Sequence, residues 1–388
     1  MTPAARVQAA IEVLDSILEG TPAEKALTNW ARSARFAGSG DRAALRDHVF
    51  QALRCRRSHA VLGGALTGRG LMIGAMRDQG VPLSDIFTGA GYGPAPLSAE
   101  EAVERSLCDP DRFDLPDWLW PLFEASLGDA AAPTALALRR RAPVVLRVNL
   151  ARSDPAAVIA DLDSGGIVAL PDDIAPGALI VTEGARRITA HPLYQSGVIE
   201  LQDGSSQAAM HLLPLPENGR VLDFCAGGGG KTLALAARGQ ADWFAHDALV
   251  QRMQDLPLRA ARAGVTVTLL ATDELAVHAP FDLVLCDVPC SGSGTWRRTP
   301  EAKWALTPGR LNELTRQQAE ILARAASLVT PGGVLAYATC SVLRAENEDR
   351  IAAFLAENPG WRRDLMQRWP VSAAGDGFFV SSLSCNNS

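Results

Sequence analysis

Five short apolar runs follow Ser205, separated by helical stretches: VLDF (221–224), DWFAHD (242–247), VTVTLLATD (265–273), FDLVLCDVP (281–289) and GVLAYATCS (333–341). This alternation is the strongest constraint in the chain, because strands joined by helices pair in parallel and a parallel sheet must be covered on both faces. It predicts a doubly wound, mostly parallel α/β sheet for residues 206–388, with its ligand crevice outside the carboxyl ends of the strands. Each run ends in or just before a polar or thiol residue: Asp223 and Cys225, Asp247, Asp273, Asp287 with Cys290, and Cys340. A solvated loop carboxylate explains any one of these, but the coincidence at all five tips predicts a shared ligand site.

Upstream the pattern differs. Residues 4 to about 112 read as helices without a strand signal: VQAAIEVLDSIL, a stretch from Glu24 to Phe36, DRAALRDHVFQALRCRR, and a less regular piece closed by SAEEAVERSL. Gly and Pro then cluster in GAGYGPAPLS and near DPDRFDLPDW, which mark a boundary. From about Phe113 to Asp203 the elements are mixed, with helices at WLWPLFEASLG, TALALRR and PAAVIADLDSGG and strand-like runs at APVVLRVNL and GALIVT. The expected organisation is an all-α domain (1–112), a small α+β module (113–205) and the α/β domain (206–388). With 47% hydrophobic and 21% charged residues the chain is not largely disordered. No window approaches a membrane span and the first residues lack the apolar core of a signal peptide, so a cytoplasmic location is expected.

Seven cysteines, at 55, 108, 225, 286, 290, 340 and 385, show no paired spacing and predict no disulfide framework. Cys286 and Cys290 have no His or second Cys pair nearby, so no metal is expected. The net charge of −6 excludes a uniformly basic surface but not local patches. Seven Arg lie between Arg32 and Arg57 against Asp41 and Asp47, and Arg139, Arg140, Arg141, Arg147 and Arg152 share an acid-free stretch. On charge alone, RNA contact and the ordinary polar faces of amphipathic helices explain these equally well. Lys25, Lys231 and Lys303 are the only lysines, and the last two fall inside the motifs below.

The first strand-to-helix turn is Cys225-Ala226-Gly227-Gly228-Gly229-Gly230-Lys231-Thr232, where glycines let backbone approach a ligand. A P-loop needs Gly at the position of Cys225, and no strict dinucleotide fingerprint is present. Asp247, at the next tip, has the place of an acid that takes ribose hydroxyls, which favours an adenosine ligand and leaves S-adenosylmethionine as the natural choice. Asp273 would then lie near the adenine. Cys290 and Cys340 face the same crevice, and methylation of carbon 5 of a pyrimidine needs a thiolate that first adds to carbon 6. Structural burial is the better reading for Cys286, Cys55 and Cys108. The residues alone do not rank Cys290 against Cys340.

The segments VLDFCAGGGGKT, DVPCSGSGTWRRTPEAKW and YATCSVLRAENE closely resemble three signature motifs of the Sun/Fmu-type RNA cytosine-5 methyltransferases. LQDGSSQAAMHLL and GDGFF are also similar to that family, and the resemblance covers at least residues 141–379. It implies a Rossmann-like class I methyltransferase domain, with the amino-terminal helices resembling a NusB-like RNA-binding domain. It further implies that Cys340 is the nucleophile, that Cys290 assists release of the product, and that Asp287 holds the cytosine near nitrogen 3. Cys225, Ala226, Gly227, Gly228, Gly229, Gly230, Lys231, Asp247, Arg252, Asp273 and Asp287 would contact S-adenosylmethionine. The expected activity is formation of 5-methylcytosine in ribosomal RNA of the small subunit by a monomer whose arginine-rich helices hold RNA phosphates. A transfer-RNA enzyme of the same family and a non-catalytic assembly factor are the alternatives. Two departures stand out: Gly227-Gly228 replaces an Ala-Pro step, which would loosen the turn, and the polar tail VSSLSCNNS replaces a final strand with a basic last residue, and is expected to be frayed or altered.

Overall fold

The computed structural model describes residues 1–373 and 375–385. The chain divides into two compact units, one made of Met1–Glu124, Gly128–Arg141 and Trp296–Ala305, the other of Ala125–Leu127, Ala142–Thr295 and the residues from Leu306 onward. Trp296–Ala305, which directly follow the Cys290 segment in sequence, thus belong to the helical unit.

In the helical unit, Thr2 accepts from the Ala5 amide and Pro3 occupies the first turn, which starts helix Pro3–Leu18. Helices Ala23–Ser33, Ser39–Arg54, Arg56–Gly63 and Gly68–Asp78 follow. Their apolar faces bury Val7, Ala10, Leu14, Leu45, Val49, Leu71, Met72 and Ile73 in one core. Helices Arg56–Gly63 and Gly68–Asp78 touch backbone to backbone, since a Cβ on Gly74 would lie 1.9 Å from the His59 carbonyl oxygen. Residues 98–107, expected to be helical, form turns and coil instead. Glu101 is drawn into a fork with Arg69 (2.7 Å), which holds its carboxyl down at about 2, and this tertiary pairing overrides a weak local helix preference.

The second unit contains two sheets. β1 (Val144–Val148), β2 (Val168–Pro171), β3 (Ala178–Glu183) and β4 (Ile199–Leu201) form an antiparallel sheet in the order β2-β3-β1-β4, beside helix Pro155–Ser164. The larger sheet holds β5 (Arg220–Asp223), β6 (Asp242–His246), β7 (Val267–Leu270), β8 (Phe281–Asp287), β9 (Val329–Thr339), β10 (Trp361–Trp369) and β11 (Phe378–Cys385). Its order is β10-β11-β9-β8-β5-β6-β7, and β5 to β9 pair in parallel while β11 is antiparallel to both β9 and β10. Leu222, Leu283, Val284, Leu285, Leu335 and Ala336 are fully buried, as a sheet covered on both faces requires. The strand order reverses between β5 and β8, the crossing point at which such sheets bind ligands.

The tail corrects an expectation. Phe378–Cys385 is not frayed but an inner strand, with Phe379, Val380 and Leu383 fully buried. Its serines are buried too, and Ser381 donates to the Leu365 carbonyl (2.8 Å), so a polar composition concealed a paired strand. The last three residues of VSSLSCNNS, 386–388, lie outside the described residues.

Candidate active site

At the tip of β5 the chain turns into helix Gly230–Ala236. Gly227 and Gly229 have φ of +50° and +77°, and a Cβ on Gly229 would lie 2.1 Å from Leu256 Cδ1, so only glycine fits there. The Gly227-Gly228 step is anchored rather than loose: the Gly227 amide donates to Asp247 Oδ2 (3.0 Å) and Arg259 donates to the Gly228 carbonyl. Asp223, buried beneath this turn, accepts from the Thr232 hydroxyl (2.7 Å) through Oδ2, while its buried Oδ1 has no hydrogen-bond partner among the described residues. Burial, with the Asp287 charge added, pushes the Asp223 carboxyl up to about 6.

Asp247 follows β6 and is buried. Its Oδ1 accepts from the Leu249 amide (2.9 Å), and Arg252 Nη1 lies 3.3 Å from Oδ2. Each carboxylate oxygen keeps acceptor capacity beyond these bonds. His246, which the sequence reading passed over, links two tips: Nδ1 lies 2.7 Å from the Phe224 carbonyl oxygen and Nε2 2.9 Å from Thr272 Oγ1. Its only signal in the sequence is its place at the end of an apolar run. Burial holds the ring below its ordinary pKa. Asp273, next to Thr272, is exposed in the turn after β7.

The ladder between β8 and β9 sets Asp287 opposite Ala338, and the Val288 amide extends it by donating to the Ala338 carbonyl (3.0 Å). The two tips therefore leave the sheet side by side, and Cys290 Sγ comes to lie 3.4 Å from Cys340 Sγ. The Gly294 amide donates to the Cys340 carbonyl (2.9 Å), and Gly377 of the GDGFF segment packs on Gly294, where a Cβ would lie 2.2 Å from the Gly377 carbonyl oxygen. Lys231 Nζ donates to Asp287 Oδ2 (2.6 Å) and lies 5.3 Å from the Phe378 ring centre. Burial pulls the Lys231 ammonium down, but the Asp287 carboxylate outweighs it and leaves the pKa above its ordinary value. The contact with Cys290 holds Cys340 below the ordinary thiol pKa against burial and the Asp287 charge, and Lys231 acts in the same direction as that contact. The same contact, together with burial, pushes Cys290 well up. The Lys231 charge favours ionisation of Cys340, and the choice of nucleophile between the two thiols rests on the family resemblance.

The sequence-derived residues divide clearly. Cys225 through Lys231, Asp247, Arg252, Asp287, Cys290 and Cys340 gather at the tips of β5, β6, β8 and β9, whereas Asp273 stands exposed beside them. A nucleoside-bearing cofactor fits this set, given the glycine cradle that a Cβ at Gly229 would fill, the buried Asp247 carboxylate and the unpartnered Asp223 oxygen. A cleft of about 1220 Å³ lined by Arg152, His211, Arg238, Asp242 and Thr268 lies toward the amino ends of β6 and β7, the wrong end of a parallel sheet for such a ligand, and Arg152 and Arg238 are bonded to carbonyls there.

Lys303, the other motif lysine, is buried in the helical unit and donates to the Arg54 carbonyl (2.8 Å). Many of the arginines expected to hold phosphates are likewise bonded within the fold. Arg54 bonds the Arg297 carbonyl, Arg57 pairs with Asp111 and Asp117, Arg139 with Asp78 and Asp114, and Arg147 is buried against Gln202 and Gly230. Arg32, Arg35 and Phe36 remain exposed. Cys55, His59 and Asp78 bring ligand-type atoms within 4.8 Å of one another, but burial pushes the Cys55 thiol up to about 12 and Arg139 pairs with Asp78, an environment suited to a protonated thiol.

Two family profiles match the chain: "16S rRNA methyltransferase RsmB/F" over residues 210–384 and the RsmF/B-like ferredoxin-like domain over residues 115–187. The ribosomal RNA small subunit methyltransferase B of Xylella fastidiosa (strain 9a5c) is 34% identical over 286 residues, covering 69% of this chain and 68% of the relative. The protein of the same name from Klebsiella pneumoniae subsp. pneumoniae is 34% identical over 288 residues, covering 70% of this chain and 66% of the relative. The chain thus spans about two thirds of the length of the curated relatives it matches. Among solved structures, PH0851 shares the fold over 99% of both chains with a TM-score of 0.74 and 23% identity. A methyltransferase homolog protein from Pyrococcus horikoshii matches 70% of this chain and 96% of its own, with a TM-score of 0.60 and 24% identity. No described helix is long and apolar enough to cross a membrane. With its profile match centred on the thiol-bearing sheet and relatives at this level of identity, the chain belongs to the RsmB/F family of 16S rRNA methyltransferases.

Proposed function

We propose that the protein forms 5-methylcytosine in ribosomal RNA of the small subunit, with S-adenosylmethionine as methyl donor. The observation that carries this reading is the pair of thiols 3.4 Å apart beside the Lys231–Asp287 pair. The names of the curated relatives support the substrate. Cys225 through Lys231, with Asp247 and Arg252, would hold the cofactor, which supplies an electrophilic methyl group when bound; Asp273 belongs to this set by resemblance.

The chain's own residues do the rest. The Cys340 thiolate adds to carbon 6 of the cytosine, and the displaced electron pair makes carbon 5 nucleophilic. Asp287 holds the ring near nitrogen 3 and favours that addition, while Lys231 keeps the nearby charges balanced. After methylation, loss of the proton from carbon 5 returns its electron pair to the ring and expels Cys340 as thiolate. Cys290, whose sulfur lies 3.4 Å from that of Cys340, assists that step. The target base must leave its stack to reach the thiols.

On the same footing, residues 1–112 would act as a NusB-like RNA-binding part, 113–205 as a linking module and 206–388 as the methyltransferase part, in a cytoplasmic monomer. Arg32, Arg35 and Phe36 offer the cationic and stacking groups such a role needs. The test is transfer of labelled methyl from S-adenosylmethionine to total RNA lacking the modification, followed by bisulfite mapping. Label at one small-subunit cytosine supports the reading; label in transfer RNA, or cofactor binding without transfer, overturns it.

A further inference from the structure

Behind the two thiols lies a carboxylate that none of these steps uses. Glu346 closes the short turn Arg344–Glu346 and is fully buried. Its Oε1 accepts from the Ser291 amide (2.8 Å) and Gln318 Nε2 (3.0 Å), and its Oε2 from the hydroxyls of Ser291 (2.5 Å) and Ser341 (2.5 Å). Ser291 follows Cys290 and Ser341 follows Cys340, so one carboxylate grips both loops a single residue beyond each sulfur.

The surrounding bonds serve the same end. Gln318 also donates to the Pro289 carbonyl (3.0 Å), just before Cys290. Asn347 accepts from the Thr339 hydroxyl (2.5 Å) and donates to the Ser341 carbonyl (2.9 Å), which brackets Cys340 from both sides. Tyr337 fixes the turn itself by donating to the Glu346 carbonyl (2.6 Å). A fully buried carboxylate is a costly way to fill space, and apolar packing would serve better if packing were all that mattered. What the carboxylate supplies is a rigid span between two loops that must not drift apart.

We propose that Glu346 is the positioning residue that sets the spacing and alignment of the Cys290 and Cys340 sulfurs, and through them the release of the methylated base. This rests on the reading that Cys340 attacks and Cys290 assists release. Glu346→Asp retracts the carboxylate by one methylene, too short to hold both loops, while Glu346→Gln keeps the length and replaces one acceptor oxygen by a donor.

Two readouts on the full chain separate positioning from a purely structural role. In the first, turnover with RNA and S-adenosylmethionine is followed together with the denaturation-resistant protein–RNA adduct. Glu346→Asp should lose about a hundredfold in turnover, the scale expected for ~1 Å of misplacement, and should accumulate adduct. The second needs no RNA: a bifunctional alkylating fluorophore lights up only when two thiols each displace one bromide, with Cys290→Ala as the blank. Its signal should fall about tenfold in Glu346→Asp while a monofunctional reagent still labels the thiols. If Glu346→Asp does not fold, Glu346→Gln carries the test, with smaller changes in the same directions. Cross-linking at the wild-type rate, with turnover lost only in proportion to unfolded protein and no adduct, would overturn the proposal. If wild type itself neither turns over nor forms adduct, the methyltransferase reading fails instead, and the cross-linking result still decides whether Glu346 sets the thiol spacing.

Discussion

Replacing Lys303 by Met removes a buried charge whose effect can be worked out from its surroundings. Lys303 is 1% exposed, and its ammonium donates to the Arg54 carbonyl at the end of helix Ser39–Arg54 and lies 4.7 Å from the Trp304 ring centre. Burial outweighs the nearby Asp114 charge and pulls the pKa from 10.5 to about 8. That drop corresponds to about 3 kcal/mol of destabilisation of the protonated form. The folded pKa lies below the unfolded one, so between pH 8 and 10.5 the unfolded chain holds a proton that the folded chain has released. Stability therefore rises with pH across this window and sits on its lower plateau below pH 8. At neutral pH, Lys303→Met gains by losing the charge and loses about 1–3 kcal/mol by leaving the Arg54 carbonyl unpaired, so it should unfold within ~2 kcal/mol of wild type. The decisive quantity is the difference between the proteins at two pH values, read by urea denaturation. From pH 7.5 to 9.5 the wild type should gain about 2 kcal/mol on the variant, since the other titrating groups are common to both. Parallel pH curves would refute the reasoning and show that Lys303 releases no proton over this range.

Gly229→Ala should destabilise by at least ~1–2 kcal/mol from its positive φ alone, more with the Leu256 clash, and weaken S-adenosylmethionine binding, seen by calorimetry. His246 is neutral in the fold because burial lowers its pKa, so its contribution is complete above the unfolded value of 6.5 and is lost as pH falls below it. His246→Gln should flatten the stability curve as pH falls below 6.5 in thermal melts. Arg32→Ala with Arg35→Ala should weaken RNA binding and lower the slope of log affinity against log salt by about 1–2, whereas Arg54→Gln should act through stability of the helical unit and leave that slope unchanged.

The strand tips were legible because a parallel sheet writes itself as apolar runs ending at one edge, and Asp223, Asp247, Asp287, Cys290 and Cys340 could be placed from that pattern alone. What the pattern could not show was which charges turn inward. Arg54, Arg139 and Arg147 look like a nucleic-acid surface in the sequence, yet tertiary carboxylates and carbonyls account for all three. β11 escaped notice because its backbone pairs only once β9 and β10 flank it, which also buries its serines. The thiols could not be brought together from sequence alone, since they meet in a 3.4 Å contact across 50 residues of chain.

The central claim is that Cys340 is the sulfur that bonds to cytosine and Cys290 the one that lets it go. It is tested most directly by incubating wild type, Cys290→Ala and Cys340→Ala with unmodified small-subunit RNA and S-adenosylmethionine and resolving the proteins under denaturing conditions. The account predicts turnover with little adduct for wild type, a stable protein–RNA adduct for Cys290→Ala, and neither product nor adduct for Cys340→Ala. An adduct that persists in Cys340→Ala, or equal loss without adduct in both variants, would contradict it.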